Sequence, residues 1–281
     1  MLTKGVEGDV VQIVSGGVSD VGRVRTNNED SFRILDGIGL FILSDGMGGE
    51  AHGEVASSLA VETIAKYCEA PPKEDSGATL HGTVSSNLSE KTKQLQEAVY
   101  QANFNIYESA QKNPDQRGMG ATLTTVWVND NRLSIAHVGD SRAYLLRSGS
   151  LQQLTSDHSL VAEQVRRGIL TRQQAEESEM QSVLLRALGA HADVEVDVDE
   201  TEIFPRDVLL LCSDGLTRMV TEPEIAGTLQ AETDPGSAAQ KLVDLANERG
   251  GLDNVTVIVA RVQDEAKGGW FSWLRGAGKK D

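Results

Sequence analysis

Apolar residues recur at helical spacing in two long stretches of the chain. Val55, Leu59, Ala60, Ile64 and Tyr67 predict a helix over residues 53–69, and Leu95, Ala98, Val99, Ala102 and Ile106 predict another over 89–112. Between them, PPKEDSGATLHGTVSS (residues 71–86) is rich in loop-forming residues and reads as a surface connection. Further along, the apolar runs shorten to strand length. Strands are expected over 121–128, 133–138 and 143–146, separated by Asn129-Asp130-Asn131 and a glycine-containing link, with RSGS (147–150) as another turn. Thr171 with Gln174 and Thr221 with Glu224 have capping-box spacing, so each opens a helix. A last helix over 237–248 stops at Gly250-Gly251 and leads into a strand over 254–262. DVEVDVDE (193–200) lacks the glycine and the terminal-glutamate spacing of a calcium loop; its alternation predicts a strand with an acidic outer face. Long helices with grouped strands predict an α+β domain of layered sheets and helices. One domain is expected over residues 1–263, leaving 264–281 as a tail.

Several apolar runs meet a carboxylate beside a small or polar residue. LFILSDG (40–46), IAHVGD (135–140) and VLLLCSDG (208–215) end in Asp45, Asp140 and Asp214, whereas Asp253 of GGLD (250–253) precedes its strand. Asn28-Glu29-Asp30 precedes another strand-like segment. A single Asp-Gly pair is usually only a turn. Several, each bordering a run that belongs in the core, point to a metal site. Carboxylate and carbonyl oxygens suit Mg²⁺ or Mn²⁺, whereas zinc recruits Cys or His.

Charge narrows the partners. Forty-two acidic against 26 basic side chains give a formal net charge of −16, which argues against nucleic acid. That surface would also repel a phosphorylated substrate unless bound divalent cations offset it. Two cysteines far apart in sequence suggest no disulfide framework. No basic-then-apolar leader opens the chain, and no apolar run approaches the roughly 20 residues of a membrane span. A cytoplasmic protein with reduced thiols is expected.

One segment supports a rival chemistry. Cys212, Gly215 and Arg218 spell C-x-x-G-x-x-R, the loop of a cysteine-dependent phosphatase in which a thiolate attacks phosphorus. Asp214 inside that loop would oppose both thiolate formation and phosphate binding. Cys212 also follows four apolar residues and is expected to be a packed core thiol.

Seven segments, in order, resemble the type 2C, metal-dependent Ser/Thr protein phosphatases of bacteria. They are GRVRTNNED (22–30), SDGMGG (44–49) with GEVAS (53–57), AHVGDSR (136–142), LTSDHS (154–159), RALG (186–189), LCSDG (211–215) and GGLDNVT (250–256). The resemblance covers about residues 15–262 and implies two packed antiparallel β-sheets flanked by helices, with a metal centre at one end of the sandwich. It implies that Asp45 bridges two metals and Gly46 binds one through its carbonyl. Asp214 and Asp253 would complete the other, and Glu29 and Asp30 would act directly or through water. Asp140, with Asp214, matches the place of a third, weaker metal in bacterial members. Arg25 matches the arginine that grips the substrate phosphate, which makes Arg25, Asp45 and Asp214 the candidate catalytic side chains.

The implied activity is hydrolysis of phosphoserine and phosphothreonine in proteins by a water bridging two Mg²⁺ or Mn²⁺ ions. The implied partner is a bacterial Ser/Thr kinase whose phosphorylation it opposes. A phosphoprotein-binding pseudophosphatase using the same pocket is a non-enzymatic alternative.

Some positions depart from the family pattern. Met47 stands where many eukaryotic members carry a histidine thought to protonate the leaving group, and Glu50 where bacterial members often carry histidine. His52 is expected to be a partly exposed loop residue. The segment SEMQSV (178–183) lacks the His-Pro and Asn common before RALG, and residues 157–180 correspond to a flap beside the site. KGGWFSWLR (267–275) mixes aromatic and basic residues and could touch a membrane or partner groove. A tail packed on its own domain or loosely ordered is favoured over that contact.

Overall fold

A computed structural model describes residues 12–48, 52–71 and 88–263. The connection expected over 71–86 falls, beyond Pro71, outside the described residues, as do Glu50 and the tail from residue 264.

Two antiparallel sheets pack face to face. In the first, β1 (Ile13–Asp20), β11 (Val255–Val262), β10 (Val208–Cys212), β7 (Arg142–Arg147) and β8 (Ser150–Gln153) lie in that order. In the second, β2 (Asp30–Leu35), β3 (Leu40–Met47), β5 (Leu123–Asn129), β6 (Arg132–Val138) and β9 (Asp197–Glu202) follow one another, and the short β4 (Gly120–Ala121) pairs with the end of β3. Each central strand is apolar on both faces because both are covered. Along β3, Phe41 and Leu43 pack with Leu209 and Leu211 between the sheets, while Leu40 and Ile42 turn outward into a second core. That outer core lies under α1 (His52–Glu69) and α2 (Glu90–Lys112). On the opposite side α6 (Glu222–Ala231) and α7 (Pro235–Glu248) cover the first sheet, so the α+β sandwich flanked by helices is present.

The expected helix over 53–69 is present, but its buried face differs from the predicted one. Ala56, Ala60, Ile64 and Ala65 face the core, whereas Val55 is 37% exposed and Leu59 and Tyr67 are only partly buried. Small residues win because α1 starts almost on top of β3. A Cβ on Gly46 would lie 2.1 Å from the Gly53 carbonyl oxygen. In α2 the five predicted residues are all fully buried.

Both predicted capping boxes form, at Thr171 before α4 (Arg172–Glu176) and at Thr221 before α6. The acidic strand is displaced: β9 begins at Asp197, and Arg186 pairs with Glu195 just before it and with Asp197 at its first position. Among the described residues no helix is long and apolar enough to cross a membrane.

Candidate metal centre

One end of the sandwich opens into a cleft of about 390 Å³ lined by five carboxylates from separate segments. Glu29 precedes β2, Asp45 lies in β3, Asp140 follows β6, Asp214 opens the one-turn α5 (Asp214–Thr217), and Asp253 precedes β11. Gly46, Met47, Arg25 and Arg218 share the lining. Six of the seven expected metal-binding positions therefore meet at one cleft. Asp30 stands behind it, 8% exposed, with Oδ2 accepting from Ser213 Oγ at 2.8 Å and Thr256 Oγ1 at 2.6 Å. Its Oδ1 is buried without a hydrogen-bond partner.

Local sequence explains how these groups are held. The Asp45 N–H donates to Thr122 Oγ1 at 3.0 Å, and the Gly46 N–H donates to the Glu29 carbonyl at 3.0 Å. Asn254 is a clip that spacing alone did not reveal. Its Oδ1 accepts from the Glu29 N–H, and its Nδ2 donates to the carbonyls of Val21 and Asn27, all within 2.9 Å. The loop carrying Arg25 and Glu29 is thereby tied to Asp253.

Concentrating carboxylates in a buried place raises their proton affinity. Burial, reinforced by Asp30 and Asp214, pushes Asp45 well above the usual carboxylate range. Asp30 is pushed up to about 7 by burial, against the hydrogen bonds from Thr256 and Ser213. Asp140 is likewise pushed up to about 7 by burial and by Asp214. Burial also raises Asp214, which Arg218 opposes.

Two arginines supply cationic charge here. Arg218 Nη2 lies 2.5 Å from Asp214 Oδ2, and Arg25 Nη2 donates to Asp253 Oδ2 at 2.9 Å. With these pairs in place, no three acidic, His or Cys side chains among the described residues stand in the geometry of a metal's shell. The donor chemistry nevertheless fits a hard divalent ion. It consists of all-oxygen ligands, mutually repelling carboxylates, the unpartnered Asp30 Oδ1 behind them, and a glycine at 46 where any side chain would strike backbone. Asp45, Gly46, Asp214 and Asp253, the residues that would hold such ions, share this cleft with Glu29 and Asp140.

The cysteine-dependent reading is overturned. Cys212 is fully buried among Tyr144, Leu210 and Val257, outside the cleft lining, and burial pushes its thiol up to about 12. Arg218, its proposed phosphate partner, is in the cleft instead.

The expected flap, residues 157–180, contains α3 (Leu160–Arg166) and α4, and Ser182 and Leu184 just beyond it line the cleft. Arg142 clamps it through Nε and Nη2 to both oxygens of Asp157 at 2.7–3.1 Å. His158 accepts at Nδ1 from the Gly139 N–H at 3.1 Å, so its Nε2 carries the proton and donates to Asp197. His52 opens α1 and is not in the lining.

A family model for protein phosphatase 2C matches residues 22–246. The serine/threonine protein phosphatase PstP of Mycobacterium tuberculosis is 40% identical over 259 residues, covering 92% of this chain but 47% of PstP. The chain thus spans about half the length of that relative. The serine/threonine phosphatase stp of Listeria monocytogenes is 37% identical over 253 residues, covering 89% of this chain and 96% of the relative. A crystal structure of the PstP catalytic domain with two manganese ions superposes with a TM-score of 0.77 at 38% identity, covering 90% of this chain and 99% of that one. A phosphatase from Mycobacterium smegmatis in complex with cacodylate gives 0.75 at 33% identity, covering the same shares. The sandwich, the acidic cleft and these matches agree: the chain belongs to the protein phosphatase 2C family.

Proposed function

We propose that this chain is a Mn²⁺- or Mg²⁺-dependent phosphatase that removes phosphate from serine and threonine side chains of proteins. The observation carrying it is the convergence of Glu29, Asp45, Asp140, Asp214 and Asp253 on one cleft. The names and the manganese content of the relatives support the same chemistry.

A divalent pair, when bound, supplies neutralising charge for the phosphate and a hydroxide nucleophile at neutral pH. The chain's own side chains do the rest. Asp45, Asp214, Asp253 and the Gly46 carbonyl would hold the ions at this end of the sandwich, and Glu29, Asp30 and Asp140 would add charge beside or behind them. Arg25, half-exposed at the mouth, binds and orients the phosphoryl oxygens. Main-chain hydrogen bonds from Leu160 to Val183 and from Leu185 to His158 hold the segment carrying Leu184 beside the cleft, where it shapes the approach of a peptide.

A Ser/Thr kinase makes the substrate this reaction consumes, and phosphorylated proteins, including that kinase, are the proposed partners. The free, buried thiols of Cys68 and Cys212 suit the reducing cytoplasm.

The test is Mn²⁺-dependent turnover of p-nitrophenyl phosphate and of a phosphothreonine peptide. Loss of turnover with a chelator, and in Asp45→Asn and Asp214→Asn, is the expected result. Folded protein without turnover in Mn²⁺ would refute this reading in favour of the phosphoprotein-binding alternative.

A further inference from the structure

We propose that Arg218 is a built-in counter-cation of the metal centre, held on Asp214 in the metal-free protein and released, once divalent ions take that carboxylate, to bind the phosphoryl group beside Arg25. The inference rests on the metal-dependent reading above and assigns a second phosphate-binding side chain to it.

Three observations carry it. Arg218 follows α5 directly, four residues after Asp214, so one helical turn delivers its guanidinium to that carboxylate at 2.5 Å. Its Nη1 also lies 3.7 Å from Asp253 Oδ2, the atom that Arg25 contacts at 2.9 Å. The two arginines therefore flank one candidate metal ligand. Finally, Arg218 lines the cleft with its side chain only 25% exposed, whereas an ordinary helix-surface pair points into solvent.

A guanidinium and a divalent ion compete for the Asp214 oxygen, and their like charges repel across so short a distance. Loading therefore weakens the Arg218 pairing. The displaced group keeps its charge at any working pH, and its planar fork suits two oxygens of a phosphate dianion. Arg25 stands on the other side of Asp253 for the same task.

The test needs no turnover. Metal-free wild type, Arg218→Met and Arg218→Gln are titrated with Mn²⁺ by calorimetry, and the loaded proteins are then titrated with inorganic phosphate. Removing the competing cation should tighten Mn²⁺ binding by about tenfold, and removing the fork should weaken phosphate binding by about tenfold. Arg218→Lys, which keeps the charge without the fork, should retain wild-type Mn²⁺ affinity and bind phosphate less tightly than wild type. Equal or weaker Mn²⁺ binding in Arg218→Met and Arg218→Gln overturns the proposal, because it would make Arg218 a structural support of Asp214. Unchanged phosphate binding overturns it as well. Failure of the wild type itself to bind Mn²⁺ would sink the metal-centre reading, a result distinct from either.

Discussion

Adding Mn²⁺ to the metal-free protein should expel protons, and the number should depend on pH. Asp30 and Asp140 are both raised to about 7, mainly by burial. Each is about nine-tenths protonated at about pH 6 and almost fully ionised at about pH 8.5. A divalent ion requires the ionised forms. Proton release should therefore fall by roughly two per protein between those conditions. The sign is the same for stability. A carboxyl raised in the fold favours the metal-free protein at low pH, and that advantage is lost as pH rises from the unfolded value through about 7. For one such group the loss is about 4 kcal/mol.

His137 works in the opposite direction. Burial lowers it to about 4, so its contribution is lost as pH falls through the window from 6.5 to about 4. It stays neutral at both pH values of the comparison and adds nothing to the difference. Calorimetry in buffers of different ionisation enthalpy reads the proton count directly. Equal release at both pH values would refute the reasoning that these carboxyls must ionise for the ions to bind.

Gly46→Ala should weaken Mn²⁺ binding at least about tenfold in calorimetry and cost about 1–3 kcal/mol, since the added Cβ meets the Gly53 and Glu29 carbonyl oxygens at 2.1 and 2.7 Å. Wild-type affinity would remove that carbonyl from the site. Cys212→Ala should lose about 1 kcal/mol in denaturant unfolding but keep turnover within about twofold, because the thiol only packs. Abolished turnover in folded protein would restore the sulfur chemistry. Arg142→Met should cost about 2–3 kcal/mol, because Asp157 keeps its charge with its clamp removed, and should speed proteolytic cleavage between residues 157 and 188. Unchanged cleavage would show that the flap is held by other contacts.

What the sequence made legible was local. Capping boxes at Thr171 and Thr221 formed because their hydrogen bonds span only three residues. The carboxylates were visible because each borders a run that both faces of a sandwich must bury, as at Leu40–Met47. Cross-chain geometry was not legible. The buried side of α1 depends on how near Gly46 allows Gly53 to come, which no periodicity within the helix encodes. Asp30 looked equivalent to Glu29, yet strand alternation sends neighbours to opposite sides and places it behind the cleft on Ser213 and Thr256. Arg218 had a usable signal in its four-residue spacing from Asp214, but the nearby cysteine suggested another chemistry for it. Asn254 gave no signal of its own, since its three partners come from the far end of the chain.

Anomalous diffraction at the manganese edge, from crystals grown with Mn²⁺, tests the central claim most directly. Peaks within coordination distance of Asp45, Asp214 and Asp253 are predicted, with Arg218 turned away from Asp214. Manganese bound only elsewhere, with Asp214 and Asp253 still paired to Arg218 and Arg25, would contradict the account.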